Sequence, residues 1–213
     1  MLGLSHNVMA QQNKAADEAL DEVSQIQAWA DKGLAAHRID DLMGAISWLE
    51  KAASKNHAHA QAMLGYIYIR SGEDELALPF IQKAAAQQDS MAMYELATLH
   101  AEGRLLEKNN SQSIVLLKQA IAQDYYPAYW SLAGAYEKGE VGLTIDFNKA
   151  LTLYQQASDK GYFTATYRLI KAYKNGELGL AVDRAKVKEL KKAMNVLSKA
   201  RAQAAIEPEN SEK

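Results

Sequence analysis

Residues 128–139 read AYWSLAGAYEKG, and the same pattern stands at three other places: AQAMLGYIYIRSG from Ala60, AMYELATLHAEG from Ala92 and ATYRLIKAYKNG from Ala165. The leading alanines at 60, 92, 128 and 165 are 32, 36 and 37 residues apart, and each is followed 11 or 12 residues later by a glycine, Gly72, Gly103, Gly139 or Gly176. A second segment follows each glycine: LALPFIQKAA (76–85), SIVLLKQAI (113–121), ALTLYQQAS (150–158) and VKELKKAM (187–194). An earlier copy fits the frame, with Ala28 32 residues before Ala60 and AISWLEKAA (45–53) 32 residues before ALPFIQKAA. The chain therefore reads as five units, 28–59, 60–91, 92–127, 128–164 and 165–200. Self-similarity at such a period marks a stacked repeat architecture, in which each unit buries its apolar face only against its neighbours.

Both halves of a unit have helical periodicity. Ala128, Leu132, Ala135 and Tyr136 fall at i, i+4, i+7 and i+8, and Ala150, Leu153, Tyr154 and Ala157 do so in the second half. Alternating β-branched runs are missing, and there are three prolines. The glycine after each first helix suits a left-handed C-cap, where a Cβ is costly. Small residues such as Gly65, Ala97 and Ala133 suit close approach of helix backbones. Units three to five carry an insertion between their helices, as in GEVGLTIDFNKA (139–150) and GELGLAVDRAKV (176–187). Asp146 and Asp183, four residues ahead of the first periodic residue of the next helix, are expected to cap it, and Asn110 is assigned the matching place in unit three.

The pattern A-x-x-x-L-G-x-x-Y-x-x-G followed by G-x-x-x-D-x-x-K-A-x-x-x-Y-x-x-A resembles the Sel-one-like repeats, relatives of tetratricopeptide repeats. The residues that carry it are Leu64–Gly65, Tyr68 and Gly72 in unit two and Gly139–Gly142, Asp146, Lys149–Ala150 and Tyr154 in unit four. Units one and two, without the insertion, look closer to plain tetratricopeptide repeats. The resemblance spans roughly residues 28 to 200. It implies an all-α, right-handed α-solenoid that binds a protein or peptide on its concave side, and it implies no single biochemical activity.

Composition narrows the classes of function. A net charge of −2 gives no global field for nucleic acid or a membrane surface. With no cysteine, disulfides and thiol nucleophiles are excluded. No run approaches the ~18 apolar residues of a membrane span. Residues 1–12 read as a flexible N-terminus or a signal-peptide remnant. MLGLSHNVMA lacks a basic start, yet Val8-Met9-Ala10 before Gln11-Gln12 resembles a cleavage site, and Met1 can then lie within a longer signal. The balance tips to a periplasmic or secreted protein over a cytoplasmic one. Residues 13–27 are expected to form a capping helix, with Ala16, Leu20, Val23 and Gln27 on one face and acids outward. Residues 201–213 form a polar tail.

Candidate functional residues are sought on surfaces, because catalysis has little to rest on. There is no G-x-S-x-G elbow, no Ser-x-x-Lys and no metal-binding spacing, with His57 and His59 two apart in an inter-repeat turn. No cofactor is expected. Tyr94, Trp130 and Tyr167 stand two residues after the repeat alanine and Tyr66 two after a repeat Leu, places that the resemblance assigns to the concave groove. Lys171 and Lys174 add positive charge near its C-terminal end. Aromatic rings of this kind suit protein recognition; the alternative is that they pack as solenoid core. A second, basic surface is read at Lys188, Lys191 and Lys192, in a helix with seven Lys or Arg from 184 to 201 against Glu189. The expected function is a non-catalytic adaptor. The alternatives are an envelope protein that binds cell-wall glycopeptide and a structural module that self-associates through oppositely charged ends. Neither a nucleic-acid partner nor a membrane span is expected.

Overall fold

The computed structural model describes the backbone of residues 2–206 and the side chains of residues 18–203. Among the described residues there are ten helices and no strand: α1 Leu2–Arg38, α2 Leu42–Ser54, α3 Ala58–Ser71, α4 Asp74–Ala86, α5 Ser90–Glu102, α6 Asn110–Ala122, α7 Tyr126–Lys138, α8 Phe147–Asp159, α9 Phe163–Asn175 and α10 Arg184–Ile206. The chain divides into two compact units, Met1–Glu107 with α1–α5 and Lys108–Lys213 with α6–α10. The division falls inside the third sequence repeat, in the segment that links its two helices. Within each unit every helix packs on the next in sequence, and in the first unit α3 also packs on α1 and α5. This nearest-neighbour stacking is the fold class of an α-solenoid.

The helix ends follow from local chemistry. α3, α5, α7 and α9 each end on the repeat glycine, and all four of these glycines are left-handed, Gly139 at φ 72° for example. Asp146 accepts from the Lys149 amide at 3.0 Å and Asp183 from the Lys186 amide at 2.9 Å, so both cap as expected. In the third repeat the cap is Asn109, which accepts from the Gln112 amide at 2.9 Å, and not Asn110. Counting four residues back from buried Ser113, the counterpart of Ala150, reaches Asn109; the expectation was one residue out of register. Asn110 is instead the first residue of α6.

The N-terminal region also departs from the sequence reading. Residues 13–27 are not a separate capping helix. They continue into the first helix of unit one as the single element α1, because no proline interrupts the run up to Arg38. Leu20 and Val23, expected on a packed face, are 65% and 64% exposed. α2 has 13 residues against 37 in α1, so it covers only the C-terminal part, where Ala30 and Gly33 are buried. The backbone of residues 2–12 is helical, whereas their side chains, that of Ala16 and residue 1 lie outside the described set. At the other end α10 runs on to Ile206, so residues 201–206 of the assigned tail are helical; 207–213 lie outside the described residues.

Alanine and glycine set the spacing of the helices. In the first unit Ala77, Ile81 and Leu99 form a buried cluster with Tyr68, Ile69 and Leu96 against it. In the second, Tyr129, Tyr154, Leu169 and Ile170 pack among Ala133, Ala150, Ala157 and Ala165. Helix meets helix most tightly at Gly65, where a Cβ would stand 2.4 Å from Ile81 Cγ1, an atom of a fully buried side chain. An interior Gly→Ala change in a helix ordinarily gains up to about 1 kcal/mol from propensity. Gly65→Ala is expected to invert that sign and cost about 1–3 kcal/mol by overpacking. A urea unfolding midpoint equal to or above wild type would show that α3 and α4 are not locked at this distance.

Candidate functional site

In the second unit the sequence-picked residues lie on α7 and α9. Trp130, on α7, is 40% exposed, and its ring meets that of buried Tyr154 with centroids 5.4 Å apart. Tyr167, on α9, is 66% exposed. Lys171 and Lys174 follow it at i+4 and i+7 and are also exposed, so one face of α9 carries a phenol and two ammonium groups. Lys171 Nζ lies 3.9 Å from Glu177. In the first unit Tyr66 is half-buried, with the His37 ring edge-on at 6.1 Å, and Tyr94 is half-buried on α5. Among the tyrosines of the repeat frame Tyr68 stacks on Phe80, and Tyr136 lies under the Lys149 ammonium.

α7 and α9 are joined by a polar network that sequence reasoning missed. Arg168 Nη2 and Nε donate to the two oxygens of Glu137 at 2.6 and 3.2 Å, and Nη1 donates to Glu177 at 2.8 Å. The Tyr154 hydroxyl donates to the same Glu137 at 2.9 Å. Burial works against the Glu137 charge, but the bonds from Arg168 and then Tyr154 outweigh it and hold the carboxyl below its ordinary range. Burial, and next the bond to Glu137, raise the Tyr154 hydroxyl well above the usual tyrosine value, so it stays a neutral donor. The network fixes the turn of α9 from which Tyr167 projects. Its sequence signal was the arginine three residues after Ala165, a place taken by Met63 and Ser131 in other repeats.

Lys188, Lys191 and Lys192 are exposed along α10 at i, i+3 and i+4. Two other cations of that helix are engaged. Lys186 pairs with Glu189 at 2.8 Å, and Arg201 donates to the Gly161 carbonyl at 2.9 Å and sits over the Phe163 ring. The histidines of the 57–59 turn have structural partners: His57 accepts from the Ala60 amide to cap α3, and His59 meets Asp89 at 3.0 Å. Among the described residues no three His, Asp or Glu side chains gather as metal ligands, and no helix is long and apolar enough to cross a membrane.

Comparison with known proteins agrees with this geometry. The family model described as the Sel1 repeat matches residues 39–57, 58–89, 90–125 and 127–162. Among solved structures, a Sel1 repeat protein of Oxalobacter formigenes is similar at 23% identity and a TM-score of 0.71, over 82% of this chain and 72% of that one. A protective antigen of uropathogenic Escherichia coli with an SLR fold is similar at 24% identity and a TM-score of 0.61, over 87% of this chain and 41% of the antigen. A Sel1 repeat protein of Klebsiella pneumoniae subsp. pneumoniae follows at 20% identity and a TM-score of 0.56, over 88% and 94%. No curated protein matches the chain. Repeat proteins of this kind generally mediate protein–protein interactions, and their fold is typically a non-catalytic scaffold. With four matched repeats over more than half of its length, the chain belongs to the Sel1 repeat family.

Proposed function

We propose that the protein is a non-catalytic adaptor that holds a protein or peptide partner against its first-helix surface, with Trp130 and Tyr167 as anchors and Lys171 and Lys174 as charge complement. The observation that carries this reading is the exposure of two large aromatic rings at equivalent repeat positions, 40% for Trp130 and 66% for Tyr167. Tyr and Trp offer large apolar area with a polar tip at low entropic cost, and they dominate interface energetics. Both rings stand on helices tied together by Arg168, so the surface is ordered before a partner arrives and little conformational entropy is lost on binding. In the first unit Tyr66 and Tyr94 are candidates for a separate contact of the same kind.

The test is a photoreactive residue in place of Trp130, with a second at Lys191 as comparator, followed by identification of what is captured. A partner captured at 130 is then assayed directly. Trp130→Ala with Tyr167→Ala should weaken its affinity about tenfold or more, in keeping with loss of two anchor residues, while helicity by circular dichroism is unchanged. Unchanged affinity, or capture confined to position 191, overturns the reading and moves the partner surface to α10.

A further inference from the structure

The side of α7 opposite Trp130 carries a different feature. At 100° per residue Leu132 and Tyr136 lie about 200–240° around the helix from Trp130. There α6, α7 and α8 enclose a cleft of about 360 Å³, broadly open to solvent, with Ile121, Ala122, Leu132 and Leu153 as its apolar floor. Lys118, Tyr136, Lys149 and Thr152 complete its lining. The volume is at the lower end of the range for ligand clefts, ~300–1,000 Å³.

The first unit has the corresponding cleft among α2, α3 and α4, lined by Glu50, Ala53, Ser54, Asn56, Gln61, Phe80 and Lys83. The repeat frame allows a position-by-position comparison. Glu50, five residues after buried Ala45, corresponds to Lys118, five after buried Ser113. Tyr68 corresponds to Tyr136, and Phe80 to Leu153. In the first unit the Tyr68 hydroxyl donates to the Glu50 carboxylate at 3.4 Å, while Asn56, Gln61 and Gln87 hydrogen-bond to one another across the polar wall. That cleft supplies its own anion. In the second unit the place of the carboxylate is taken by a lysine, and Ala53, Ser54 and Phe80 give way to the aliphatic Ile121, Ala122 and Leu153, while the counterparts of the polar wall, Asp124, Tyr129 and Lys160, bond to one another. Lys118 and the Tyr136 hydroxyl have no partner among the described residues. Lys149 is shared between Asp146 at 3.0 Å and the face of the Tyr136 ring.

We infer that the α6–α8 cleft is a second docking surface, for a partner segment that presents an acidic side chain beside aliphatic ones. The acid accepts from Lys118 and the Tyr136 hydroxyl, as Glu50 does from Tyr68 within the chain, and the aliphatic groups cover Ile121, Leu132 and Leu153. Charge complementarity selects the anion, since two lysines and no acid line the cleft and Asp146 engages one of the two. An open trough suits a peptide segment, because a free small amphiphile needs most of its surface enclosed.

The experiment uses the full chain and a fluorescein-labelled, acetylated peptide of alternating leucine and glutamate, with its leucine–glutamine counterpart as control. Anisotropy is expected to show saturable binding of the acidic peptide at low salt, at least tenfold weaker binding of the glutamine peptide, and loss of affinity as salt rises. Lys118→Glu recreates the Glu50 arrangement, so it should cut affinity at least tenfold with the thermal midpoint unchanged, and Lys118→Gln should fall between. No binding at millimolar peptide, equal binding of both peptides, or insensitivity to Lys118→Glu each overturns the proposal. So does decanoate displacing the peptide and binding more tightly than it, which would make the cleft a fatty-acid site.

Discussion

Arg168→Met should lower stability by about 3 kcal/mol at neutral pH, the order expected when one partner of a buried ion pair is removed and the other charge is stranded. For a chain of this size that is a fall of about 6–12 °C in Tm. Arg168 has a side chain only 13% exposed and Glu137 one 22% exposed, so water compensates the loss only in part. The pH dependence separates this from a packing defect. In the wild type Glu137 titrates below its ordinary value of 4.5. Its contribution is therefore present above 4.5 and lost as pH falls through the folded value. Without the guanidinium, burial dominates, and the neutral acid is the form the fold tolerates. The gap between variant and wild type should be widest near pH 7 and narrow toward pH 4, and Glu137→Gln added to Arg168→Met should recover part of the loss at pH 7. Thermal melts from pH 4 to 8 check this; a gap independent of pH would assign the loss to packing alone.

The architecture was legible because repeats state it several times. The alanine and glycine frame located helix pairs and their left-handed ends, and Asp146 and Asp183 were readable as caps because a carboxylate just ahead of a periodic run has few other uses. The register slip at Asn110 arose where two asparagines stand side by side and either can cap; only the buried Ser113 decides between them. The continuity of α1 was hidden because a long polar helix has no termination signal, and its exposed Leu20 and Val23 mimic a packed stripe. The candidate surface was half legible. Trp130 and Tyr167 were marked by their place in the repeat, but whether a ring at that place is exposed depends on what the next helix brings against it. Tyr154 and Tyr129 have the same chemistry and are buried. The Glu137–Arg168–Glu177 network was out of reach because it joins residues 31 and 9 apart, from α7, α9 and the turn that follows Gly176. The charge inversion between Glu50 and Lys118 was present in the sequence, but it acquires meaning only when Tyr68 and Tyr136 are seen beside those positions.

Glu95→Gln should stabilise the protein at alkaline pH and leave it nearly unchanged in acid. Glu95 stands three residues after Ala92, the place held by Arg168 after Ala165, and it is 8% exposed. Arg168 is met there by two carboxylates. The reciprocal arrangement would give Glu95 the cation that follows the repeat glycine, Arg104, but the guanidinium of Arg104 is bound instead to Asp74, Nε to Oδ2 at 2.7 Å. Burial first, and then the charge of Glu102, push the Glu95 carboxyl up to about 7. The folded value lies above the unfolded value of 4.5, so the fold prefers the protonated acid. The stability that this preference gives is fully present below 4.5 and is lost as pH rises through about 7. At 1.36 kcal/mol per unit the cost above that range approaches about 3 kcal/mol. Glutamine keeps the shape and cannot ionise. Its Tm should therefore exceed that of wild type by about 5–10 °C at pH 8.5 and converge with it near pH 4.5. Glu95→Met, which copies Met63 at the same place in the second repeat, should behave alike, because in both variants the gain comes from removing a charge. Melting curves that stay parallel across this range would mean that Glu95 is ionised and solvated in the folded chain, and that α5 opens on that side.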